Sequence, residues 1–365
     1  MAWYVQLLMT VALGSVILRW SWRGFSQGRF GLRVLFGWTV LALSFPGAAL
    51  LNRLGGSLLQ RVGISATGLL FAVFAICMSL ALASVTDQFS ESASVAEASL
   101  VEAIIAQEAS RFSTFLLEHD GASSGGLVVV PALNEELSVS GVIHDVAVTL
   151  GWPVLVVDDG STDSTSKAAT AAGAFVARFP QNLGVGAAVR LGLRLAAVSG
   201  IQRVVQLDAD GQHLASEAMR LLDAAKAAGE PAPSLVVGSR FAASDVGDVY
   251  SLGAVRRLAI QLLRHRLARR FGVAITDPTS GLRLFNGDDI VGFGSRSLPS
   301  EYLGDTYGFL TLVLNQSFTV TEVAVSMRHR QAGVASSRGL SNVRFLLRAL
   351  TKGTGGPPKR SGVSI

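Results

Sequence analysis

Three long apolar runs open the chain: Trp3–Leu18 (WYVQLLMTVALGSVIL), Val34–Leu51 (VLFGWTVLALSFPGAALL) and Ile64–Val85 (ISATGLLFAVFAICMSLALASV). Each is near the ~17–25 apolar residues that carry a helix across a bilayer. The pattern predicts an all-α transmembrane domain of about three helices over residues 1–86. The first run is the weakest. It has no basic leader and no small-residue cleavage site, so it reads as an uncleaved span rather than a signal peptide. Trp3, Tyr4, Trp20, Trp22 and Trp38 fall at or near the ends of the runs, where amphipathic rings prefer to lie. The loops then set the orientation. Arg19, Arg23, Arg29 and Arg33 follow the first run, and only Arg53 and Arg61 follow the second. Positive charge stays inside, so the chain beyond about residue 86 is expected in the cytoplasm.

Residues 87–126 are polar. Val95, Leu100, Ile104 and Ile105 recur near helical spacing among Glu97, Glu102 and Glu108. That predicts a connecting helix, or a self-associating one that would make the chain an oligomer. GASSGG at 121–126 reads as a flexible linker and a domain boundary.

From Leu127 short β-branched runs alternate with longer Ala/Leu-rich ones. GLVVVPA, PVLVVDDG, AFVARF, IQRVVQLDAD and SLVVGSR read as strands, and the stretches between them as helices. Strand–helix alternation predicts an α/β sheet of parallel strands with crossover helices over 127–350. Ligands on such sheets bind at the carboxyl ends of the strands, where the polar clusters of this chain fall. Residues 351–365 read as a flexible tail.

Composition adds three constraints. Half of the 365 residues are hydrophobic and the mean hydropathy is +0.45, an excess concentrated in the first ninety or so residues. Cys77 is the single cysteine, so no intramolecular disulfide forms, and within its apolar run it reads as a small buried hydrophobe. The net charge of +5 is compatible with anionic lipid or phosphorylated substrates, and no nucleic-acid motif accompanies it.

The candidate chemistry lies in a few clusters. After the apolar RVVQL come Asp208, Asp210 and Gln212, then His213. These three oxygen donors alternate, so in an extended segment they face the same way. They suit a hard divalent cation, Mg²⁺ or Mn²⁺, with positions left for water and substrate phosphates. Few cysteines and scattered histidines argue against zinc. In VVDDGSTDST, Asp158 and Asp159 end a strand before a Gly160 turn, which fits either a binding role or ordinary turn and cap chemistry. In NLGVGAAVRLG, Gly184 and Gly186 resemble a dinucleotide-binding loop, with Asp208 and Asp210 about twenty residues on. A nicotinamide reading therefore stays open, although the loop follows the third strand and leaves DADGQH unexplained. RRLAIQLLRHRLARR at 256–270 sets Arg257, Arg264, Arg266, Arg269 and Arg270 against Leu258, Leu262, Leu263 and Leu267. It is a solvated helix or an interfacial one lying on an anionic leaflet. His213, His265 and His329 read as structural or solvated.

In order and spacing, VVVPALNEE, VVDDGSTDST, NLGVGAAVRLG, QLDADGQH and VVGSR resemble glycosyltransferase family 2. TDPTSGLRLF (276–285) and VTEVAVSMRHRQAGVASSR (320–338) resemble its polyprenyl-phosphate branch, the enzymes similar to dolichyl-phosphate mannose synthase. The likeness spans roughly 127–350. It departs at EVAV, where the family often has proline, and at SGLR, where it often has SGFR. The resemblance implies a GT-A nucleotide-diphospho-sugar transferase fold behind the membrane domain. It implies that Pro131, Asn134, Glu135, Glu136, Asp158, Asp159, Asn182, Gly184, Asp208 and Ala209 hold a UDP- or GDP-linked sugar. Asp208, Asp210 and Gln212 fall on the family's metal and diphosphate motif. Asp210, Arg240, Arg330 and Asp277 take catalytic roles, and Arg283, Arg330 and Ser336 meet the acceptor phosphate. Asp277 fits turn capping before Pro278 equally well. The implied reaction is inverting transfer to a polyprenyl phosphate by a multi-pass protein of the bacterial plasma membrane with a cytoplasmic catalytic domain. A saccharide acceptor, or a catalytically silent nucleotide-binding scaffold, are the other readings. The N-terminal piece resembles a family of small, uncharacterised three-span bacterial membrane proteins.

Overall fold

The computed structural model describes residues 8–12, 14–19, 39, 42, 96–119, 125–242, 254–298 and 304–328. The chain divides into two compact units, Met1–Ala98 and Ser99–Ile365. In the first unit, residues 8–12 and 14–19 are helical. Gly14 sits so close to Ala42 that a Cβ on it would lie 2.5 Å from the Ala42 carbonyl oxygen. Most of the three apolar runs falls outside the described residues. Among the described residues no helix is long and apolar enough to cross a membrane.

The second unit is built on a seven-stranded mixed sheet. Its strands are β1 (Leu127–Ala132), β2 (Val154–Asp158), β3 (Phe175–Arg178), β4 (Arg203–Gln206), β5 (Leu235–Ser239), β6 (Arg283–Asn286) and β7 (Val320–Ala324). They are ordered β3-β2-β1-β4-β6-β5-β7. The first four are mutually parallel, as strand–helix alternation requires. β6 departs from that expectation. It inserts between β4 and β5, antiparallel to both, so β4 and β5 are not neighbours. β7 then pairs parallel to β5. The consequence for the site is direct. Gln206 pairs with Arg283 and Val237 with Arg283. The start of β6 therefore lies beside the carboxyl ends of β4 and β5, and every polar cluster of the domain reaches one end of the sheet.

Both faces of the sheet are covered. Leu127, Val129, Leu155 and Val157 belong to one core, Val128, Val130, Val154 and Val156 to the other, as the period-two pleat dictates. The second core is closed by α2 (Val139–Thr149), α3 (Thr165–Ala171) and α5 (Ala215–Ala227). The first is closed by α4 (Val185–Val198), α6 (Ala254–Phe271), α7 (Asp288–Ser297) and α8 (Phe309–Asn315), the last preceded by a π-helical turn at Gly304–Gly308. Gly192 lets α4 approach the sheet: a Cβ there would sit 2.4 Å from Val129 Cγ1.

The polar helix, α1 (residues 96–118), belongs to this core. Val101, Ile104, Ile105, Phe112 and Leu116 are buried in the same cluster as Phe175 and Leu191. The Phe112 ring meets the Phe175 ring edge-on at 5.1 Å between centroids. On the outer face Glu102 pairs with Arg194 of α4 at 3.1 Å. The glutamates that made this segment look like a solvated connector mark only its exposed side; its apolar stripe extends past the residues that the sequence pattern singled out. The basic helix α6 also differs in register. Ala259, Ile260, Leu263 and Leu267 are buried, whereas Leu258 is 57% exposed beside exposed Arg257.

Candidate active site

Two loops at the carboxyl end of the sheet are locked together by their own polar side chains. Two residues past β1 comes Asn134, whose φ of 57° is a left-handed turn that asparagine tolerates better than most residues. Its backbone N–H donates to Ser161 Oγ at 2.9 Å, and its Oδ1 accepts from the Thr162 N–H at 2.8 Å. The Glu135 N–H donates to Thr165 Oγ1 at 2.8 Å, and Glu136 Oε2 accepts from the Ser164 N–H at 2.9 Å. Glu135 Oε2 accepts from Ser138 Oγ at 2.7 Å. The residues read as nucleoside-binding therefore also brace β1 against β2, with Pro131 buried inside β1 opposite Val157.

Asp158 and Asp159 divide the labour behind this brace. Asp158 is fully buried and organises the turn, accepting from the Ser161 N–H at 2.7 Å and from Ser166 Oγ. Asp159 reaches the other way. Its oxygens accept from the Leu183 and Gly184 N–H groups at 2.7 and 2.9 Å. Gly160 permits the close approach: at φ 76° a Cβ would lie 2.5 Å from the Gln181 carbonyl carbon. Asp159 thus puts a carboxylate at the N-terminus of α4, where a dinucleotide enzyme would place a phosphate. That disposes of the nicotinamide reading of the Gly184–Gly186 loop. Asn182 stays exposed on the same turn.

The acidic stretch after β4 does not run extended. Ala209 and Asp210 form a turn, and Gly211 has φ 71°. The alternation argument for Asp208, Asp210 and Gln212 therefore fails, because a turn breaks period-two facing. Asp210 Oδ1 accepts from the Gln212 N–H at 3.0 Å, and Gln212 Nε2 reaches the Arg328 carbonyl at 3.5 Å. Ala209 is a core residue, 3% exposed. Asp208 is held open at 38% side-chain exposure. It lies over Gly281, where a Cβ would come within 2.7 Å of both carboxylate oxygens. Among the described residues no three His, Cys, Asp or Glu side chains form a metal cage. Two carboxylates without a cage are nonetheless the donor set by which Mg²⁺ or Mn²⁺ is held when substrate phosphates complete the shell. A glycine cradle that leaves one of them unobstructed fits that use. His213 Nε2 lies 3.8 Å from Asp208 Oδ2. Burial, helped by the Arg240 charge, pushes its imidazole down to about 4, so at neutral pH this is not an ion pair.

Behind the turn sits a buried ionic relay. Arg240, at the end of β5, donates Nε and Nη2 to the two Asp277 oxygens at 2.5 and 2.8 Å, and Nη2 also to Thr279 Oγ1 at 3.0 Å. Asp277 is fully buried and the Arg240 side chain is 8% exposed. Burial pushes the Asp277 carboxyl up, and the hydrogen bonds and charge of Arg240 more than offset it, leaving it below the usual carboxylate range. Glu322 of β7 holds the backbone beneath: its oxygens accept from the Thr276 and Asp277 N–H groups at 2.8 Å each. Asp277 also takes the Thr279 Oγ1 hydroxyl at 3.0 Å, so the capping reading of Asp277 is present beside its pairing with Arg240. Removing its carboxylate strands a buried guanidinium, which costs about 3–5 kcal/mol. Asp277→Ala is accordingly expected to lower the unfolding free energy from a denaturant titration by that amount, with a lower midpoint, and Asp277→Leu with Arg240→Met to recover most of it. An unchanged Asp277→Ala midpoint would show that solvent reaches Arg240.

Comparison with known proteins matches this framework to one family. Residues 127–288 fit the model described as glycosyl transferase family 2. That stretch is similar to family 2 glycosyltransferases. Its relatives include a polyprenol monophosphomannose synthase of Mycolicibacterium smegmatis, 29% identical over 228 residues, covering 60% of this chain and 82% of that protein. An undecaprenyl-phosphate mannosyltransferase of Micrococcus luteus is 26% identical over 226 residues, covering 58% and 87% respectively. A glucosyl-3-phosphoglycerate synthase of Mycobacterium tuberculosis, solved with Mn²⁺, uridine diphosphate and phosphoglyceric acid, aligns at a TM-score of 0.47 and 23% identity, over 66% of this chain and 82% of that one.

Within the glycosyltransferase domain, the expected residues meet different fates. Asn134, Glu135, Glu136, Asp159, Asn182, Gly184, Asp208, Asp210 and Gln212 gather at the carboxyl end of the sheet. Arg283 does not reach an open acceptor site. It is 1% exposed inside β6, with Nη1 donating to the Asp305 carbonyl at 2.6 Å and Nε buried without a partner. Flanked by β4 and β5 in a sheet covered on both faces, this position has no solvent side. Arg330 and Ser336 lie outside the described residues. Glu322, Thr279 and Gly281 were not singled out from the sequence. Glu322 lies inside VTEVAV, where a polar pair within an apolar segment was the available signal; Thr279 lies inside TDPTSG, a polar stretch that marks out none of its members.

Proposed function

We propose that the glycosyltransferase domain moves a sugar from a UDP- or GDP-linked donor to a polyprenyl phosphate at the cytoplasmic face of the membrane, inverting the anomeric centre. One observation carries the acceptor. Relatedness to the two lipid-phosphate mannosyltransferases extends over 226 residues or more, longer than the 127–288 segment that the family model matches, and supports a lipid-phosphate acceptor. The apolar runs of residues 1–86 support a multi-pass anchor that keeps the domain beside its lipid.

The site's chemistry suits that acceptor. A phosphate monoester is already anionic at neutral pH, so its oxygen attacks the anomeric carbon without a general base. The bond from that carbon to the donor's diphosphate oxygen breaks, and charge develops on the departing nucleoside diphosphate. A Mg²⁺ or Mn²⁺ held by Asp208 and Asp210, with Gln212 beside them, would neutralise that charge. The braced loops at Asn134–Glu136 and Asp159 form the floor for the nucleoside. Arg240 is held by Asp277 and supplies a fixed positive field behind the diphosphate rather than a mobile clamp.

The test is a lipid-extraction assay. Membranes bearing the protein receive labelled UDP- and GDP-sugars and undecaprenyl phosphate, with Mn²⁺ or with EDTA. Organic-phase label that EDTA removes is the expected result, and it names the donor. Metal-dependent label in a polymer or saccharide fraction would move the acceptor to a saccharide. No transfer from a complete donor panel would leave a silent nucleotide-binding scaffold.

A further inference from the structure

Gly281 occupies the first turn into β6, and its backbone is pinned on every side. The Leu282 N–H donates to Ser280 Oγ at 3.2 Å, and the Leu282 carbonyl accepts from the Gly238 N–H at 3.0 Å. Leu282 is fully buried, and Arg283 next to it is locked into register with β4 and β5. This loop cannot retreat without breaking the sheet. Opposite it stands Asp208, at the end of β4, whose carboxylate fills the space that a side chain at 281 would need. Both oxygens would lie 2.7 Å from a Cβ and the carboxyl carbon 3.0 Å, closer than such atoms approach one another. The requirement is spatial and not conformational. Gly281 is not among the left-handed glycines, so its backbone accepts alanine. On its other flank Asp208 has His213, a buried ring 3.8 Å away that offers little room for the carboxylate to swing aside.

We propose that Gly281 is a positioning residue for the metal-binding carboxylate: the missing side chain at 281 sets where the Asp208 oxygens stand, and hence how tightly the divalent cation is held. The inference rests on the reading of Asp208 as a metal ligand. It assigns the glycine of TSGLR a specific task, leaving room for the Asp208 oxygen pair beside the loop that leads into β6. With Gly281→Ala the pinned loop stays, and the short Asp208 side chain rotates away. Supporting groups of this kind shift metal affinity by about 10–100-fold.

The test uses the full chain in detergent, titrated with Mn²⁺ alone and followed by electron paramagnetic resonance of the free ion. Gly281→Ala is expected to weaken Mn²⁺ binding at least about tenfold. Asp208→Ala should weaken it too, and the double variant should bind no worse than Asp208→Ala. Thermal midpoints in EDTA supply a readout without metal. Gly281→Ala should lower the midpoint in the Asp208 background and leave it unchanged once Asp208→Ala has removed the clash, the coupling expected of two residues in contact. Gly281→Ala with parental Mn²⁺ affinity, or an equal midpoint loss in both backgrounds, overturns the inference. If Asp208→Ala leaves Mn²⁺ binding intact while the midpoint coupling persists, the metal reading of Asp208 has failed and the steric contact stands.

Discussion

Asp210→Ala is expected to reduce sugar transfer by about a thousandfold or more while leaving a folded protein. The two parts of that outcome have separate causes. Asp210 stands partly exposed on the turn, and its hydrogen bond to the Gln212 N–H is local, so its loss costs the fold only about 1 kcal/mol. Catalytically the residue is asked for much more. Cleaving a sugar–diphosphate bond concentrates charge on the leaving group, and a bound cation or preorganised donor there contributes ~4 kcal/mol to the barrier. With one of only two carboxylates gone, Asp208 alone would have to hold the ion. Transfer rates and thermal melts on the same preparation check both parts. Full activity in a folded Asp210→Ala protein would remove Asp210 from the metal site.

A second large effect is expected from trimming the N-terminal side. A version that begins at residue 127, where the sequence pattern places the domain boundary, should fail to fold; one that begins at residue 96 should fold. The five side chains Val101, Ile104, Ile105, Phe112 and Leu116 are each below 10% exposed. Burying a residue of this size contributes about 1.5–3 kcal/mol, so together they supply roughly 7–15 kcal/mol. That equals the whole net stability of a typical domain, about 5–15 kcal/mol. Removing α1 would also bare Phe175 and the apolar side of α4 to water. Circular dichroism and a cooperative melt for both versions decide the matter. A cooperative melt from the shorter version would show that α1 only covers a core that is stable without it.

β1, β2 and β5 were legible because each is a short β-branched run fully buried on both faces, a signal that needs no partner to be seen. The position of the site was legible for the same reason: an apolar strand that stops at Asp208 or Asp158 marks a carboxyl end. Less visible were facts created by pairing. Nothing in RLFN says that it will insert antiparallel between β4 and β5, and that insertion is what buries Arg283 and brings Gly281 to Asp208. The turn at Ala209–Gly211 was hidden because Asp-x-Asp reads equally well as strand or turn until the glycine's positive φ is known. Asp158 and Asp159 look interchangeable in DDGS, yet one residue of pleat sends the first into its own turn and the second to α4. In α1 the regular glutamates outweighed an apolar stripe whose strongest members, Phe112 and Leu116, lie near its end.

The chain that leaves β7 returns to the acidic turn: Met327 bridges His213, and the Arg328 N–H donates to the Gln212 carbonyl at 2.9 Å. A strand on the outer edge of the sheet is thereby stitched to the loop that follows its fourth strand. The turn is consequently no free-standing hairpin whose carboxylates drift with solvent. Its shape is held from outside by a segment more than a hundred residues later in the chain, and the domain must be completed nearly to that point before its acidic ligands acquire their final geometry. During synthesis, β1 to β4 would emerge long before the residues that hold this turn, so its carboxylates reach their final geometry late.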